Sequence, residues 1–299
     1  MSYVVFDLDQ TLADVRTVSY FLVSFTLKSY IVENKPYLTD YFTDELDDQL
    51  ARAYAIFVER IAREEQSAQP LGILRPGILE IMKQISTMES IVKGVAIYSN
   101  NQYLPNLRFV RDIIHHSIGK PIIGSCIHWG HPYRSNDRMS SMTKTWITLQ
   151  AILIDQGAPH TLTGDRVFFF DDQNHPQLRV ELHYYQVPEY YSDRTLDRIA
   201  AIYLTSLEEA KVNSYALYLH LTDVLDEETQ CRDPSAFRTH DLIDLIYTAT
   251  HLNVHPRAPL QDDRGIRIMK RALNDIRIQD RAIRGTTRRR TVKKSAPSR

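Results

Sequence analysis

The stretch YVVFDLDQTLAD, near the start of the chain, places two carboxylates separated by one leucine directly after four apolar residues. These carboxylates belong to Asp7 and Asp9, and the hydroxyl of Thr11 follows. Carboxylates bind hard cations such as Mg²⁺, act as nucleophiles, and accept or donate protons in catalysis. A calcium loop of the EF-hand type needs a glycine and a glutamate where this chain has Leu12 and Val18, so that interpretation fails. Taken alone, the motif also fits aspartates that cap a turn in solvent.

Two later segments have the same design. KGVAIYSNN changes from apolar residues to Ser99 and Asn100, and DRVFFFDDQN changes to Asp171 and Asp172. Continuous apolar runs without alternation are typical of strands that are covered on both faces, as in a parallel sheet. Such sheets bind ligands beyond the carboxyl ends of their strands. We therefore expect the three strand ends to lie side by side and to form one site.

A site with several carboxylates, hydroxyls and a lysine fits phosphoryl transfer through an aspartyl-phosphate. Phosphate monoesters hydrolyse very slowly without a catalyst, and a carboxylate nucleophile divides the reaction into two easier steps. Because nucleophile and substrate are both anionic, Mg²⁺ is needed to reduce their repulsion. A second aspartate can protonate the leaving oxygen, while a hydroxyl and a lysine bind the other phosphoryl oxygens. The three strand ends and a downstream lysine supply all of these groups.

In this order, the motifs resemble those of the haloacid dehalogenase superfamily. Within it, the chain is most similar to the FCP/SCP phosphatases, which act on the C-terminal domain of RNA polymerase II. The similarity lies in DLDQT, the strand that ends in serine, a downstream lysine and the later acidic pair. LRPGILEIM at 74–82 is similar to the Arg-Pro-Gly segment of that group, and GSCIHWGHPYR to the strand before its lysine. The resemblance covers roughly residues 2–12 and 72–190.

The resemblance implies a role for each acidic residue. Asp7 would be the nucleophile and a metal ligand. Asp9 would be the general acid and base, with its backbone carbonyl on the metal. Asp172, supported by Asp171, would complete the coordination. Mg²⁺ is thus the expected cofactor, and its expected ligands are Asp7, Asp9, Asp171 and Asp172.

The resemblance also implies a set of phosphate-binding groups. These are Thr11, which would also fix the geometry of its loop, Ser99, Asn100 and Lys144. Lys144, in SSMTKTW, is the first choice for the lysine and Lys120 the second, because the segment before Lys144 is longer than the family usually has. His175, three residues after the acidic pair, either contacts substrate or only packs in its loop.

The elements that must position these residues form an α/β fold. Helical patterns lie between the apolar runs, as parallel strands require, and predict a doubly wound, Rossmann-like sheet. We divide the chain into a catalytic core (1–12 and 74–194), a helical insertion (13–73), a C-terminal helical extension (195–280) and a disordered basic tail (281–299). The insertion either forms a cap over the site or packs on the core. Neither the insertion nor the extension has a counterpart in the minimal phosphatases that the chain resembles.

The composition is that of an ordinary globular protein. With 43% hydrophobic and 24% charged residues, a wholly disordered or fibrous chain is excluded. Residues 281–299 carry eight Lys and Arg and no acidic residue; taken from the total charge of −1, this leaves about −9 on the rest. Two cysteines are too few for a disulfide framework and indicate a reducing compartment. Without a signal peptide or a long apolar segment, we expect a cytoplasmic or nuclear protein that is neither secreted nor membrane-bound.

The expected function is that of a Mg²⁺-dependent phosphatase of phosphoserine or phosphothreonine in proteins. A phosphatase of nucleic-acid ends or nucleotides is an alternative, motivated by the basic tail. A non-catalytic domain that binds phosphorylated partners is a further alternative, although a binding module needs no general acid. The tail itself fits a nuclear localisation signal, a nucleic-acid contact or solvated disorder.

Overall fold

The computed structural model describes residues 1–34, 42–135, 143–192, 196–225, 237–249 and 263–294. The strands of its sheet are β1 (Ser2–Phe6), β2 (Val92–Tyr98), β3 (Ser125–Ile127), β4 (Val167–Asp171) and β5 (His183–Gln186). Each of the three predicted buried strands is present. Their apolar runs lack alternation because every residue of β1 and β4 is buried.

The sheet has the strand order β3-β2-β1-β4-β5, and all neighbouring strands are parallel. The chain moves outward from the central β1 through β2 to β3 and then crosses to the other side of β1 to form β4. The reversal lies between β1 and β4, which is where open α/β sheets bind ligands. The predicted α/β class with a Rossmann-like parallel sheet is confirmed.

Helices connect the strands and, with turns and loops between them, form the rest of the described chain. They are α1 (Ser19–Phe25), α2 (Leu27–Asn34), α3 (Asp44–Glu65), α4 (Ile78–Ser86), α5 (Leu104–Ile118), α6 (Pro132–Ser135), α7 (Trp146–Asp155), α8 (Pro176–Glu181), α9 (Leu196–Glu209), α10 (Ser214–Leu225), α11 (Thr239–Ala249) and α12 (Arg264–Lys294). None of these described helices combines the length and the apolar composition that crossing a bilayer requires.

Both faces of the sheet are covered by apolar layers. On β1, Val4 and Phe6 belong to a large cluster on one face, whereas Tyr3 and Val5 belong to a smaller cluster on the other. The smaller cluster includes the buried residues of α7, so helices cover the sheet on opposite sides. Burial on both faces fixes the positions of the strand ends, where the candidate site lies.

The described part of the insertion packs on the core. Phe57 of α3 stacks on Phe109 of α5, with ring centroids 5.6 Å apart, and meets Tyr203 of α9 edge to face at 6.2 Å. Buried residues of α3 and α9 belong to the same apolar cluster as Val4 and Phe6. The described parts of the insertion and of the C-terminal extension therefore share one hydrophobic core with the sheet.

The segment 281–299 was expected to be a disordered basic tail, and the structure assigns helix to part of it. Helix α12 continues to Lys294, and residues 295–299 lie outside the described residues. The buried side chains of Met269, Leu273 and Ile276 hold the first part of this helix on the core. Arginine and lysine are good helix formers, so the helix propagates into the basic segment although that segment has no apolar face.

Candidate metal and phosphate site

Three aspartates meet at the carboxyl ends of β1 and β4. Asp7 follows β1, Asp171 ends β4, and Asp172 comes next; all three are buried. One carboxylate oxygen of each lies within 4.8 Å of the others. Among the residues that the structure describes, this is the one group of His, Cys, Asp or Glu side chains arranged to hold a metal ion. Three carboxylate oxygens are ligands of the kind that hard cations such as Mg²⁺ prefer.

Lys144 lies inside the same group. Its Nζ is 2.6 Å from Oδ1 of Asp7 and 2.7 Å from Oδ2 of Asp171, and its side chain is only 2% exposed. Burial alone would lower the pKa of Lys144, but the charges of Asp7 and Asp171 and their hydrogen bonds outweigh burial and raise it. Lys144 is therefore charged and partly neutralises the two carboxylates that it touches.

The one positive charge of Lys144 does not balance three buried carboxylates. Burial raises the pKa of Asp7, although Lys144 opposes this shift. Burial and the charge of Asp7 raise the pKa of Asp172 to about 7. In a buried site, neighbouring negative charges make the ionised form of a carboxyl group less favourable than the protonated form. A bound dication offsets this repulsion. A cation bound by these oxygens would therefore favour the ionised forms of the carboxyl groups.

The side chain of Asp9 is not part of this group and bonds to residues at the end of β2. Its Oδ2 accepts hydrogen bonds from Nδ2 of Asn101 at 3.1 Å and from Oγ of Ser99 at 3.4 Å. Burial, followed by the charge of Asp7, raises the pKa of Asp9 to about 6. A carboxyl group that titrates near neutrality can donate and accept protons. The carboxylate of Asp9 is not one of the three that can share a metal; its predicted metal contact is the backbone carbonyl, and that stays a prediction.

The loop after β1 connects the two acidic strand ends. Thr11 donates its hydroxyl proton to Oδ1 of Asp172 at 2.9 Å, and both residues are buried. The backbone N–H groups of Leu12 and Ala13 donate to the carbonyl of Leu8, which closes the loop into a compact turn. Thr11 thus has the loop-fixing contact that was expected of it.

Ser99 and Asn100 lie at the end of β2, beside β1. Ser99 is buried, and its Oγ accepts the N–H of Asn101 at 3.1 Å. The side-chain oxygen of Asn100 accepts a hydrogen bond from Arg134 at 2.6 Å. The three strand ends named from the sequence therefore meet in space, with Ser99 next to Asp9 and Lys144 next to Asp7.

Sequence reasoning missed two residues of this site. Asn101 bonds to Asp9, as described above, and buried Arg134 donates from Nη1 to the carbonyl of Ser99 at 2.6 Å. The guanidinium of Arg134 also lies 5.0 Å from the ring centroid of Tyr98. Asn101 adjoins a residue that was predicted and could have been included for that reason. Nothing in the spacing of Arg134 indicated that it reaches back to β2.

Lys120 does not belong to the site. Its Nζ donates to the carbonyl of Ser86 at 2.8 Å and pairs with Glu89 at 2.5 Å, and its side chain is 39% exposed. Of the two lysines named from the sequence, the structure therefore places only Lys144 beside Asp7. Lys144 reaches the site because it lies just before α7, and α7 begins at the carboxyl edge of the sheet.

His175 borders the metal group. Its Nε2 lies 3.4 Å from Oδ2 of Asp171, and the ring is largely buried. Burial, with a contribution from the charge of Lys144, lowers the pKa of His175 to about 4, so the ring is neutral near pH 7. Its place next to Asp171 makes it part of the wall of the site.

Comparison of the chain with protein-family models, curated proteins and solved structures finds no match. The functional argument therefore rests on the residues of the site and on the chemistry that they can perform.

We expect Mg²⁺ binding to weaken as the pH falls below about 7, by up to about tenfold per pH unit. The reason is that Asp172, whose pKa is raised to about 7, must lose its proton before it can bind the cation. Isothermal titration calorimetry with MgCl₂ at pH 6 and pH 8 measures the effect. In Asp172→Asn the affinity should be lower at both values and should change less with pH. Equal affinity of the wild type at pH 6 and pH 8 would contradict this assignment.

Proposed function

We propose that the protein is a Mg²⁺-dependent phosphomonoester hydrolase that works through an aspartyl-phosphate, as members of the haloacid dehalogenase superfamily do. The observation that carries the proposal is the arrangement around Asp7. On one side Asp7 shares a metal-binding group with Asp171 and Asp172 and touches Lys144. Asp9 lies outside that group, with a pKa near neutrality. A nucleophile, a cation site and a separate proton donor are the three requirements of this reaction.

In the first step, a carboxylate oxygen of Asp7 attacks phosphorus while the bond from phosphorus to the leaving oxygen breaks. Asp9, protonated, transfers its proton to that oxygen. In the second step, water attacks phosphorus and the bond to Asp7 breaks, while Asp9 takes a proton from the water. The enzyme returns to its initial state and inorganic phosphate leaves. Mg²⁺, held by Asp7 and Asp172 with support from Asp171, would supply charge neutralisation for both steps.

The remaining site residues bind and orient the phosphoryl group. Lys144 keeps its charge in a buried position, where electrostatic stabilisation is stronger than in water. Ser99 and Asn100 lie at the end of the neighbouring strand. The hydrogen bond from Thr11 fixes Asp172 relative to the loop that carries Asp7. Because these groups are fixed by hydrogen bonds before substrate binds, little reorganisation is needed during the reaction.

For the substrate, we propose phosphoserine or phosphothreonine in proteins, as in the CTD phosphatases that the motifs resemble. LRPG and GSCIHWGHPYR support this choice over other phosphatases of the superfamily. The helical, basic segment 281–294 favours a second candidate, a phosphatase of nucleic-acid ends or nucleotides, because positive charge attracts a phosphate backbone.

Hydrolysis of an aryl phosphate with and without Mg²⁺ tests the activity. We expect turnover that needs Mg²⁺ and is lost with a chelator. A panel of phosphopeptides, nucleotides and phosphorylated oligonucleotides, compared by kcat/KM, then chooses between the two substrate classes. A wild-type protein that binds phosphopeptides but hydrolyses nothing in the panel would refute the enzymatic proposal and support a binding module.

Asp9→Asn should separate proton transfer from nucleophilic attack. We expect the rate of the first step, measured as the burst of leaving-group release, to fall about 10²–10⁴-fold on a phosphoserine peptide, whose alkoxide leaving group needs a proton. The loss in the burst rate should be much smaller on an aryl phosphate with an electron-poor ring, since that leaving group departs without a proton. Rapid-quench kinetics on the two substrates measure the ratio; the burst is compared because Asp9 also activates water in the second step, which is common to both substrates. Equal losses on both would argue against Asp9 as the general acid.

A further inference from the structure

A residue that sequence analysis did not assign holds the loop after β1 in place. Arg75, just before α4, is only 3% exposed. Its Nε donates to the carbonyl of Thr11 at 2.6 Å, and its Nη2 donates to the carbonyls of Gln10 and Pro188, each at 2.5 Å. Its backbone N–H donates to the carbonyl of Leu12 at 2.8 Å. One side chain thus ties together the loop of the candidate nucleophile and the segment that follows β5.

The loop needs such support because its backbone is unfavourable at one position. Gln10 has φ of 62°, in the left-handed region that residues with a Cβ seldom adopt. Its carbonyl accepts from Arg75 and from the N–H of Tyr190, at 2.9 Å. Thr11, the next residue, makes the hydrogen bond to Asp172. Any change in the conformation of Gln10 therefore moves the connection between the two acidic strand ends.

Helix α12, from the C-terminal extension, packs against the same guanidinium. A Cβ added to Gly265, in the first turn of α12, would lie 2.5 Å from Nη1 of Arg75. The following residue, Ile266, lies against Gly77, and Lys270 pairs with Glu80 of α4 at 2.9 Å. The first turn of α12 is thus in close contact with Arg75, and a side chain at position 265 would require the guanidinium to shift.

We propose that Arg75 is a positioning residue for the reaction and that the first turn of α12 fixes its guanidinium against the loop. Arg75 acts through the carbonyls of Gln10 and Thr11 and touches no reacting atom. The C-terminal extension, which the minimal phosphatases lack, is on this account a part of the catalytic apparatus. The catalytic half of the proposal rests on the proposed phosphatase function; the structural half does not.

Gly265→Ala is the sharpest test, because the substitution should stabilise helix α12 by itself but lower the activity of the site. Alanine is favoured over glycine inside a helix, so a residue of purely local importance would keep or gain stability. The new methyl group would instead displace the guanidinium of Arg75, which donates hydrogen bonds to three carbonyls. We expect kcat for an aryl phosphate to fall about tenfold or more, with KM within about twofold, because the reacting groups are misplaced rather than removed. Gly124→Ala, whose Cβ would meet only the Val95 carbonyl at 3.8 Å, is the matched control.

A second measurement does not depend on catalysis. Hydrogen–deuterium exchange of residues 8–14 should be faster in Gly265→Ala and in Arg75→Lys than in the wild type and in Gly124→Ala. Lysine keeps the positive charge at position 75, but its ammonium group lacks the planar, forked set of donors by which Arg75 bonds to three carbonyls. If the wild type has no phosphatase activity, faster exchange still supports the positioning role while the proposed function fails. Unchanged exchange in both variants, or a Gly265→Ala enzyme with wild-type kcat, overturns the inference.

Discussion

Asp7→Asn is expected to lower kcat for aryl phosphate hydrolysis by at least about 10⁴-fold, the order of loss found when a catalytic nucleophile is removed. An amide oxygen has almost no nucleophilicity towards phosphorus, so the aspartyl-phosphate cannot form. The variant should still fold. Asparagine has nearly the same shape, and it removes a carboxylate whose pKa burial raises, while Lys144 keeps its contact with Asp171.

Steady-state kinetics with saturating Mg²⁺, accompanied by circular dichroism of each variant, measures this effect. Asp165→Asn is the matched control, because the same chemical change falls on an exposed aspartate that precedes β4, at the opposite end of that strand from Asp171. We expect it to leave kcat unchanged. If folded Asp7→Asn keeps wild-type activity, the aspartyl-phosphate mechanism is wrong.

Lys144→Met should be the most destabilising single substitution of the site. It leaves Asp7 and Asp171 buried without the cation that now lies within 2.7 Å of both. Breaking a buried ion pair on one side costs about 3–5 kcal/mol, because a charge remains buried without a partner. Urea denaturation in the absence of Mg²⁺ at pH 8 measures the free energy of unfolding.

The loss should shrink as the pH falls. Without Lys144, the folded-state pKa of Asp7 rises further above its unfolded value, so the folded state binds more protons than the unfolded state between these two pKa values. In that window, stability decreases as the pH rises. The difference between variant and wild type is therefore expected to be larger at pH 8 than at pH 5.

Lys120→Met is the control for Lys144→Met. Lys120 forms an ion pair near the surface with Glu89, whose side chain is 76% exposed, and such pairs contribute little. We expect its urea midpoint and its activity to match those of the wild type. A Lys144→Met protein as stable as Lys120→Met at pH 8 would show that the buried charges are not coupled as the structure indicates.

Much of the core fold could be predicted because its signals are local. The apolar runs before Asp7, Ser99 and Asp171 do not alternate, and each proved to be a continuously buried part of a strand. The helix from 281 to 294 has no such local signal. The residues of this segment show no apolar face, and it continues without a break from the buried first part of α12.

The acidic half of the site was also predictable. Asp7, Asp171 and Asp172 share one metal-binding group because parallel strands end at one edge of the sheet, so residues far apart in sequence meet there. The arginine and amide side chains around the site could not be predicted. Asn101, Arg134 and Arg75 act through hydrogen bonds to Asp9 or to backbone carbonyls, and no periodicity or motif indicates such contacts.

The sequence by itself determined the α/β class, the strand ends that carry carboxylates, and the chemistry those carboxylates can perform, because each depends on residue type and on order along one strand. Only the tertiary structure decided that Lys144 and not Lys120 faces Asp7, and that α12 lies against Arg75. Lys144 and Asp7 are 137 residues apart. Contacts over such separations follow from the packing of whole helices and strands, which no single segment encodes.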